Sequence, residues 1–159
     1  MRRLLLRGMD ALITNVPGYC VCVTTADCVP VLLYDKKQHV VAAVHAGWKG
    51  TVKHIVSHVM DHLNQKFGTQ GEDVVACIGP SISLESFEVG DEVYDAFKES
   101  GFDMSLISMK KKETGKYHID LWEANRIELL NAGVPAEQIE VAGICTYIHH
   151  DEFFSARKI

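Results

Sequence analysis

The sequence predicts an α/β domain of the α+β type, a mixed β-sheet with helices packed on it. Three observations carry that expectation. Short runs dense in Val, Ile, Leu, Thr and Tyr crowd the first half of the chain, as strands do. A longer segment, residues 51–67, repeats its apolar residues at helical spacing. Strands and helices then mix without strict alternation, which disfavours a regular doubly wound parallel sheet.

The elements follow in order. Residues 10–15, 19–25, 30–35 and 39–45 read as strands. Pro17-Gly18 separates the first two, and Asp35-Lys36-Lys37-Gln38 is a polar turn between the last two. A helix is expected from Gly50-Thr51, with Val52, Ile55, Val56, Val59, Met60, Leu63 and Phe67 at helical spacing and Gly68 as its stop. Residues 74–79 read as a buried strand ending at Gly79-Pro80. A helix around Asp91–Glu99 sets Val89, Val93 and Phe97 on one face. Residues 102–116 read as a loop with a lysine-rich tip. Asp120 caps a helix that runs through Asn131 and ends at Gly133, and residues 140–147 read as a final apolar strand.

A length of 159 residues suits one hydrophobic core, so residues 1–159 are expected to form a single domain. Hydrophobic residues at 47% and charged residues at 23% are ordinary for a globular chain and argue against disorder. The net charge of −5 gives no electrostatic reason to bind nucleic acid or an anionic membrane. The run Lys110, Lys111, Lys112 reads as a solvated loop. No apolar run is long enough to span a bilayer. Arg7 ends the Leu4, Leu5, Leu6 stretch too early for the core of a signal peptide. A cytoplasmic location is therefore expected, with the five cysteines as reduced thiols. Their odd number and their spacing do not form paired CxxC elements, so a four-cysteine zinc site is not expected.

Two segments break the bland pattern, Thr25-Ala26-Asp27-Cys28-Val29-Pro30 and His45-Ala46-Gly47-Trp48-Lys49-Gly50. Each sets polar residues where a strand meets a loop, a common place for a rigid element to aim a side chain at a cleft. If residues 30–35 and 39–45 pair about Lys36-Lys37, partner numbers sum to about 73 or 74. Cys28 then lies opposite His45 or its neighbour, with Cβ atoms roughly 4.5–5.5 Å apart. Two chemistries suit that pair. Thiolate and imidazole can both ligate zinc, with an open position for an activated water. Alternatively, His45 lowers the thiol pKa and Cys28 is a nucleophile. The bland alternative is a buried structural cysteine beside a satisfied histidine.

Gly47 and Gly50 permit close approach of a ligand, and Trp48 can stack on a flat ring or pack into the core. His54, His58 and His62 form a stripe at i, i+4, i+8 away from the apolar face of their helix, which reads as ordinary exposed histidines more than as a metal site. Gly79-Pro80-Ser81 lacks the spacing and the lysine of a P-loop, although Ser81 near a helix start is a candidate anion contact.

The segments ADCVPVLL (26–33) and HAGWKGT (45–51) together resemble the YfiH-like family, once labelled multicopper polyphenol oxidases or laccase-domain proteins. DALITNVPG (10–18), IGPSIS (78–83), FEVGDEV (87–93), CTY (145–147) and FFSARK (153–158) extend the likeness over nearly the whole chain. The resemblance implies a YfiH-like fold. It also implies a purine nucleoside phosphorylase acting on adenosine, inosine, guanosine or methylthioadenosine with phosphate, and an additional zinc-assisted adenosine deamination. It implies a metal, usually zinc, held by His-Cys-His. Cys28 and His45 match two of those ligands by motif and take the catalytic place. The family's third ligand lies in a Val-His-Gly motif upstream of DALIT, and Met1–Gly8 contains no histidine. His118, His149 and the histidine stripe are the remaining imidazoles that come into question. Copper suits the site less, because one cysteine and two histidines cannot build a multinuclear copper cluster.

On the substrate side, the candidate contacts are Trp48, Lys49, Ser81 and Arg157. Lys49 stands where the family usually has arginine, which keeps the charge but loses the bidentate fork. His149-His150 replaces a common Asp-Pro, and Ala156 replaces a common aromatic. The resemblance also leads to the expectation that the family's N-terminal segment and its Arg- and Gly-rich C-terminal tail are lacking. Two alternatives therefore stand beside phosphorolysis: a metal-free Cys–His hydrolase or transferase, and an inactive truncated binding module. Apolar surface bared by lost termini leads to an expectation of self-association into a homo-oligomer.

Overall fold

The computed structural model describes residues 9–159. Its centre is the hairpin expected from the sequence. Strand β2 (Val29–Asp35) buries Val29, Val31, Leu33 and Asp35 and turns Leu32 and Tyr34 outward. Strand β3 (Val40–Ala46) runs antiparallel to it and buries Val40, Ala42, Val44 and Ala46 on the same inner face. This period-2 alternation follows from the pleat.

The connecting turn is longer than the hairpin arithmetic assumed. Asp35 pairs with Val40, so residues 36–39 form a four-residue loop. The Asp35 carboxylate organises that loop by accepting from the backbone N–H of Lys37 (2.9 Å) and Gln38 (3.0 Å). His39 closes it at φ 55°, donating its backbone N–H to the Asp35 carbonyl at 3.0 Å. Burial pushes the Asp35 carboxyl up, but the nearby Thr69 hydroxyl and the N–H groups of Gln38 and Lys37 outweigh it and hold the group below the usual carboxylate range.

Strand β1 (Ala11–Thr14) adds antiparallel to β3, and β4 (Val74–Ile78) adds antiparallel to β2. Strand β8 (Ile139–Val141) lies parallel to β4, which completes a mixed five-stranded sheet of order β1-β3-β2-β4-β8. The helix expected after Gly50 is divided. A short α1 (Trp48–Val52) and a long α2 (Ile55–Phe67) meet at His54, which takes a left-handed φ of 59°. Gly68 ends α2 at φ 69°, as the sequence suggests. Helix α5 (Leu121–Asn131) starts at Asp120, whose Oδ1 accepts from the Glu123 N–H at 3.0 Å. Val56, Val59, Met60 and Leu63 of α2, with Ala124 and Leu129 of α5, are buried in the core that covers the inner face. Full burial of each large aliphatic side chain contributes roughly 1.5–3 kcal/mol.

A second, three-stranded sheet joins β5 (Glu88–Val89), β7 (Tyr117–Ile119) and β6 (Ser108–Lys110) in that order. Helix α3 (Asp91–Glu99) forms over the expected range. The segment expected to be a loop over residues 102–116 instead contains α4 (Met104–Ile107) and β6. Phe102, Met104 and Ile107 are buried in the core, and that burial orders the segment.

Two expected strands are corrected. Residues 19–25 pair with no strand among the described residues, because the flanks of β2 and β3 are already taken. Tyr19, Cys20 and Val21 instead line a cleft over the outer face of the sheet. The last apolar run is a strand only over Ile139–Val141, after which Cys145 touches Ser81 through an isolated parallel bridge. No helix among the described residues is long and apolar enough to cross a membrane.

Candidate active site

The open end of the β2–β3 hairpin is shaped by Asp27. This residue sits at φ 81°, a conformation that few side chains other than Asp and Asn tolerate. Its buried carboxylate accepts from Thr146 Oγ1 at 2.7 Å, Ser155 Oγ at 3.0 Å and the Arg157 backbone N–H at 2.8 Å. Its carbonyl accepts from the Ile82 N–H at 2.9 Å. The far end of the chain is thereby clasped to the hairpin mouth. Between them lies a cleft of about 260 Å³, walled by Cys28, Trp48, Ile82, Phe87, Leu121 and Arg157.

A second set of hydrogen bonds fixes the wall that carries Trp48. Thr51 Oγ1 donates to the Gly47 carbonyl at 2.9 Å, and Asn125 Nδ2 donates to Thr51 Oγ1 at 3.2 Å and to the Leu121 carbonyl at 2.9 Å. Thr51 and Asn125 are both fully buried, so α1 is bonded to α5 out of reach of water. On the other wall the Arg157 guanidinium lies 5.1 Å from the centre of the Phe87 ring. Its Nη1 donates to the Glu88 carbonyl at 2.6 Å. Guanidinium has five N–H donors, so most remain for an anion. A flat aromatic surface and an anchored cation thus face one cleft.

Cys28 lines this cleft, and His45 does not. The four-residue turn moves the register by one, so Pro30 faces His45 and Val29 faces Ala46. Cys28 then falls across from Gly47, where an added Cβ would sit 3.1 Å from Sγ. The expected opposed pair is therefore a diagonal pair, a relation that sets Cβ atoms roughly 7–8 Å apart. His45 Nδ1 is 3.2 Å from Asp10 Oδ1, and its backbone N–H donates to the Asp10 carbonyl at 2.7 Å. Burial pushes the Cys28 thiol up, and the carboxylates of Asp27 and Asp10 push it further the same way. The thiol form is favoured, which counts against an activated thiolate nucleophile.

A catalytic zinc takes three protein ligands and keeps one open position. Among the described residues no group of three or more His, Cys, Asp or Glu side chains is placed to hold a metal ion. Cys28 and His45 offer two donors, so the described residues do not by themselves fit a catalytic zinc. The other imidazoles are occupied or remote. His118 is buried, with Nδ1 2.9 Å from the Leu84 carbonyl and Nε2 3.6 Å from Glu88 Oε2. His149 is exposed in a turn. His54 leaves the expected stripe to bond Glu128 and the Ser100 carbonyl, while His58 and His62 are exposed as the sequence suggested.

Of the candidate substrate contacts, Trp48 and Arg157 meet Cys28 at the cleft. Lys49 is exposed and outside its lining, with Nζ 5.6 Å from the centre of the Trp48 ring. Ser81 is fully buried; its hydroxyl donates to the Gly79 carbonyl at 3.0 Å and accepts from Trp122 Nε1 at 2.6 Å. It braces the loop and is not an anion contact, because its hydroxyl is already spent within the protein. Sequence reasoning missed Asp27, Phe87, Thr51 and Asn125, along with Thr146 and Ser155. All of these but Asn125 stood inside motifs quoted for other reasons. An acidic residue between an alanine and a cysteine in an otherwise apolar run was the available signal for Asp27.

The model of a family described as multi-copper polyphenol oxidoreductase laccase matches residues 2–159. A purine nucleoside phosphorylase of Bacteroides thetaiotaomicron is 66% identical over 158 residues, which is 99% of this chain and 58% of that protein. Adenosine deaminase RL5, from an unknown prokaryotic organism, is 45% identical over 97% of this chain and 58% of its own length. The crystal structure of YlmD from Geobacillus stearothermophilus superposes with a TM-score of 0.88 at 34% identity, covering 95% of this chain and 56% of that one. The chain thus spans a little over half the length of the relatives it matches.

Proposed function

The chain belongs to the multi-copper polyphenol oxidoreductase laccase family, whose YfiH and YlmD members share its fold, and on that footing we propose that its cleft takes a purine nucleoside and phosphate for phosphorolysis. The observation that carries this reading is the juxtaposition of Trp48, Phe87 and the Arg157 guanidinium around one cleft. The activity for which the relatives are named supplies the substrate class.

In phosphorolysis a phosphate oxygen attacks ribose C1′ while the C1′–N9 bond breaks. The bond pair leaves with the purine, which takes up a proton, and ribose 1-phosphate remains. The residues suit that work in three ways. Trp48 and Phe87 offer apolar faces for a flat base. Arg157 offers a fixed, permanently charged fork for phosphate, and its bond to the Glu88 carbonyl holds it in place. Cys28, kept as the thiol, is a weak donor on the cleft wall.

Deamination of adenosine is the second reading, favoured by the name of the 45%-identical relative. It requires an activated water at purine C6. The described residues supply no three-donor site to activate one, which is why phosphorolysis comes first. A metal-free Cys28 nucleophile is disfavoured by the raised thiol.

Incubating the chain with inosine and phosphate is expected to give hypoxanthine and ribose 1-phosphate in equal amounts. Adenosine converted to inosine and ammonia without phosphate would favour deamination instead. Absence of turnover, together with unchanged tryptophan fluorescence on adding inosine, overturns the reading.

A further inference from the structure

Ahead of the candidate active site, the segment that leads into Asp27 carries two thiols in contact. Cys20 and Cys22 are both free and exposed, and their Sγ atoms lie 3.6 Å apart. Side chains two residues apart on extended backbone face the same side, which lets an isolated Cys-x-Cys bring its thiols together. Residues 19–25 pair with no strand among the described residues, so no ladder fixes the backbone that joins the two sulfurs. Cys20 also borders an apolar cleft of about 590 Å³, and the exposed Cys77 stands on the wall of that cleft.

We propose that Cys20 and Cys22 are a redox-active dithiol, oxidised by low-molecular-weight disulfides to an intrachain disulfide, with Cys22 as the attacking sulfur and Cys20 as the resolving one. Three observations support this chemistry. First, the sulfurs already touch. A disulfide bond is roughly 2.05 Å long, and the gap from 3.6 Å closes by rotation of two exposed side chains and a small adjustment of unpaired backbone. Second, a reagent reaches either sulfur without local unfolding, whereas Cys145 is buried and Cys28 is half-buried. Third, the two thiols are not equivalent. The hydrogen bond with Cys22, and then the Cys22 charge, push the Cys20 thiol up, with a smaller push from desolvation. Cys20 thus holds its proton while Cys22 attacks. The two larger causes end once the Cys22 sulfur is tied in a mixed disulfide, which frees Cys20 to resolve it.

The exchange balances. The Cys22 thiolate attacks one sulfur of the reagent, the reagent's S–S bond breaks, and one thiolate leaves with the bond pair. The Cys20 thiolate then attacks Cys22 Sγ, the mixed disulfide breaks, and a second thiolate leaves. The two protons of the protein thiols end on the two released thiols. Cys20 and Cys22 together lose two electrons, and the reagent gains them. A ring closed across one intervening residue is small and exposed, the kind of disulfide that is labile, so a thiol reductant restores the pair. The site is separate from the candidate active site, whose cysteine is Cys28, and it does not depend on the nucleoside reading.

The test is oxidation of the reduced chain by glutathione disulfide under nitrogen, followed by maleimide labelling in denaturant and peptide mapping by mass spectrometry. The peptide bearing Cys20 and Cys22 is expected to be lighter by two hydrogen atoms, to take no maleimide at either residue and to keep no glutathione there. Reduced glutathione should reopen the bond. Cys28→Ser and Cys77→Ser variants should close the same bond, whereas Cys20→Ser should retain one glutathione on Cys22. Both residues are exposed, so Cys20→Ser should keep the native far-ultraviolet circular dichroism, which is recorded alongside. The proposal is overturned if both thiols still take maleimide in full, if the unaltered chain keeps glutathione on Cys22 without closing, if the bond runs to Cys28 or Cys77, or if folded Cys20→Ser carries no glutathione on Cys22.

Discussion

Asp27 and Glu128 are both buried carboxylates that join distant parts of the chain, yet they do so with opposite chemistry. Asp27 accepts from two hydroxyls and one backbone N–H, none of which titrates near neutrality. Glu128 accepts from Ser57 and from His54, a group that does. The first clasp draws the C-terminal segment over the hairpin mouth and so builds a wall of the candidate active site. The second joins α5 to the start of α2 and touches no cleft residue. A clasp with neutral donors holds its geometry at any pH where the carboxylate is ionised. A clasp with histidine makes stability depend on pH. Shape at the cleft and cohesion between helices are therefore under separate control.

The largest expected effect comes from breaking the first clasp. Asp27→Ala leaves three donors without an acceptor and places alanine at φ 81°. Each buried unsatisfied donor costs about 1–3 kcal/mol, so the loss in unfolding free energy should be on the order of 4 kcal/mol. The segment bearing Arg157 is also freed, and kcat/KM for inosine should fall about a hundredfold, as for a misplaced catalytic group. Denaturant melts and steady-state rates measure the two parts. A variant with native stability and rates within twofold of the parent would show that the clasp does not shape the cleft.

Breaking the second clasp should affect stability alone. Hydrogen bonding to Glu128 raises the His54 pKa, partly opposed by burial, with further support from the Glu128 charge and the Ser100 carbonyl. The folded value thus lies above the usual 6.5. Its contribution is complete below about pH 6.5, the unfolded value, and is lost as pH rises through the folded value. Stability of the unaltered chain should therefore decline from pH 6 toward pH 9. His54 has a side-chain exposure of 38%, so solvent screening reduces the pair below a fully buried one. Glu128→Gln is expected to cost about 2 kcal/mol at pH 6 and progressively less above pH 7. Urea midpoints across that window measure it. An equal loss at every pH would assign the effect to packing and not to the ion pair.

The same contrast explains what the sequence makes legible. Strands β2 and β3 were readable as runs dense in β-branched and aliphatic residues, α2 because its apolar residues recur at helical spacing up to Gly68, and α5 because Asp120 and Gly133 mark its ends. The residues of the candidate site were readable as motifs, and three of them, Cys28, Trp48 and Arg157, do share the cleft. The Cys28–His45 register was off by one because the Asp35 side chain supports a longer turn than strand chemistry alone suggests. The run at residues 19–25 has β propensity, but propensity does not say whether a partner edge is free. Asp27 lay beyond local pattern altogether, since its three donors stand 119, 128 and 130 residues along the chain. The break at His54 has the same origin, as its partner Glu128 is 74 residues away.

A smaller perturbation at the Asp27 side tests how closely the hairpin mouth is fitted. Gly47 has φ −71° and ψ 174°, which alanine adopts without strain. The cost of Gly47→Ala therefore comes from the new Cβ, 3.1 Å from Cys28 Sγ. The sulfur must yield by a few tenths of an ångström, and a loss of about 0.5–1 kcal/mol is expected. The added methyl should also shield the thiol, so Cys28 should react more slowly with a maleimide, as mass spectrometry of the labelled peptide would show. Unchanged labelling would mean that Sγ points away from Gly47 in solution.

The smallest effect belongs to the residue that lies outside both clasps. Lys49 is exposed, and its Nζ approaches the Trp48 ring at 5.6 Å, a contact of about 0.5 kcal/mol at an exposed site. Lys49→Ala should lower stability by no more than that and leave the KM for phosphate within twofold. Arg157→Ala is the paired control. Its guanidinium lines the cleft and is anchored on the Glu88 carbonyl, so its loss should raise the phosphate KM about tenfold or more, the worth of a charge-assisted hydrogen bond. A Lys49 variant with the larger of the two effects would move the phosphate to the outer side of Trp48, out of the space that Asp27 encloses.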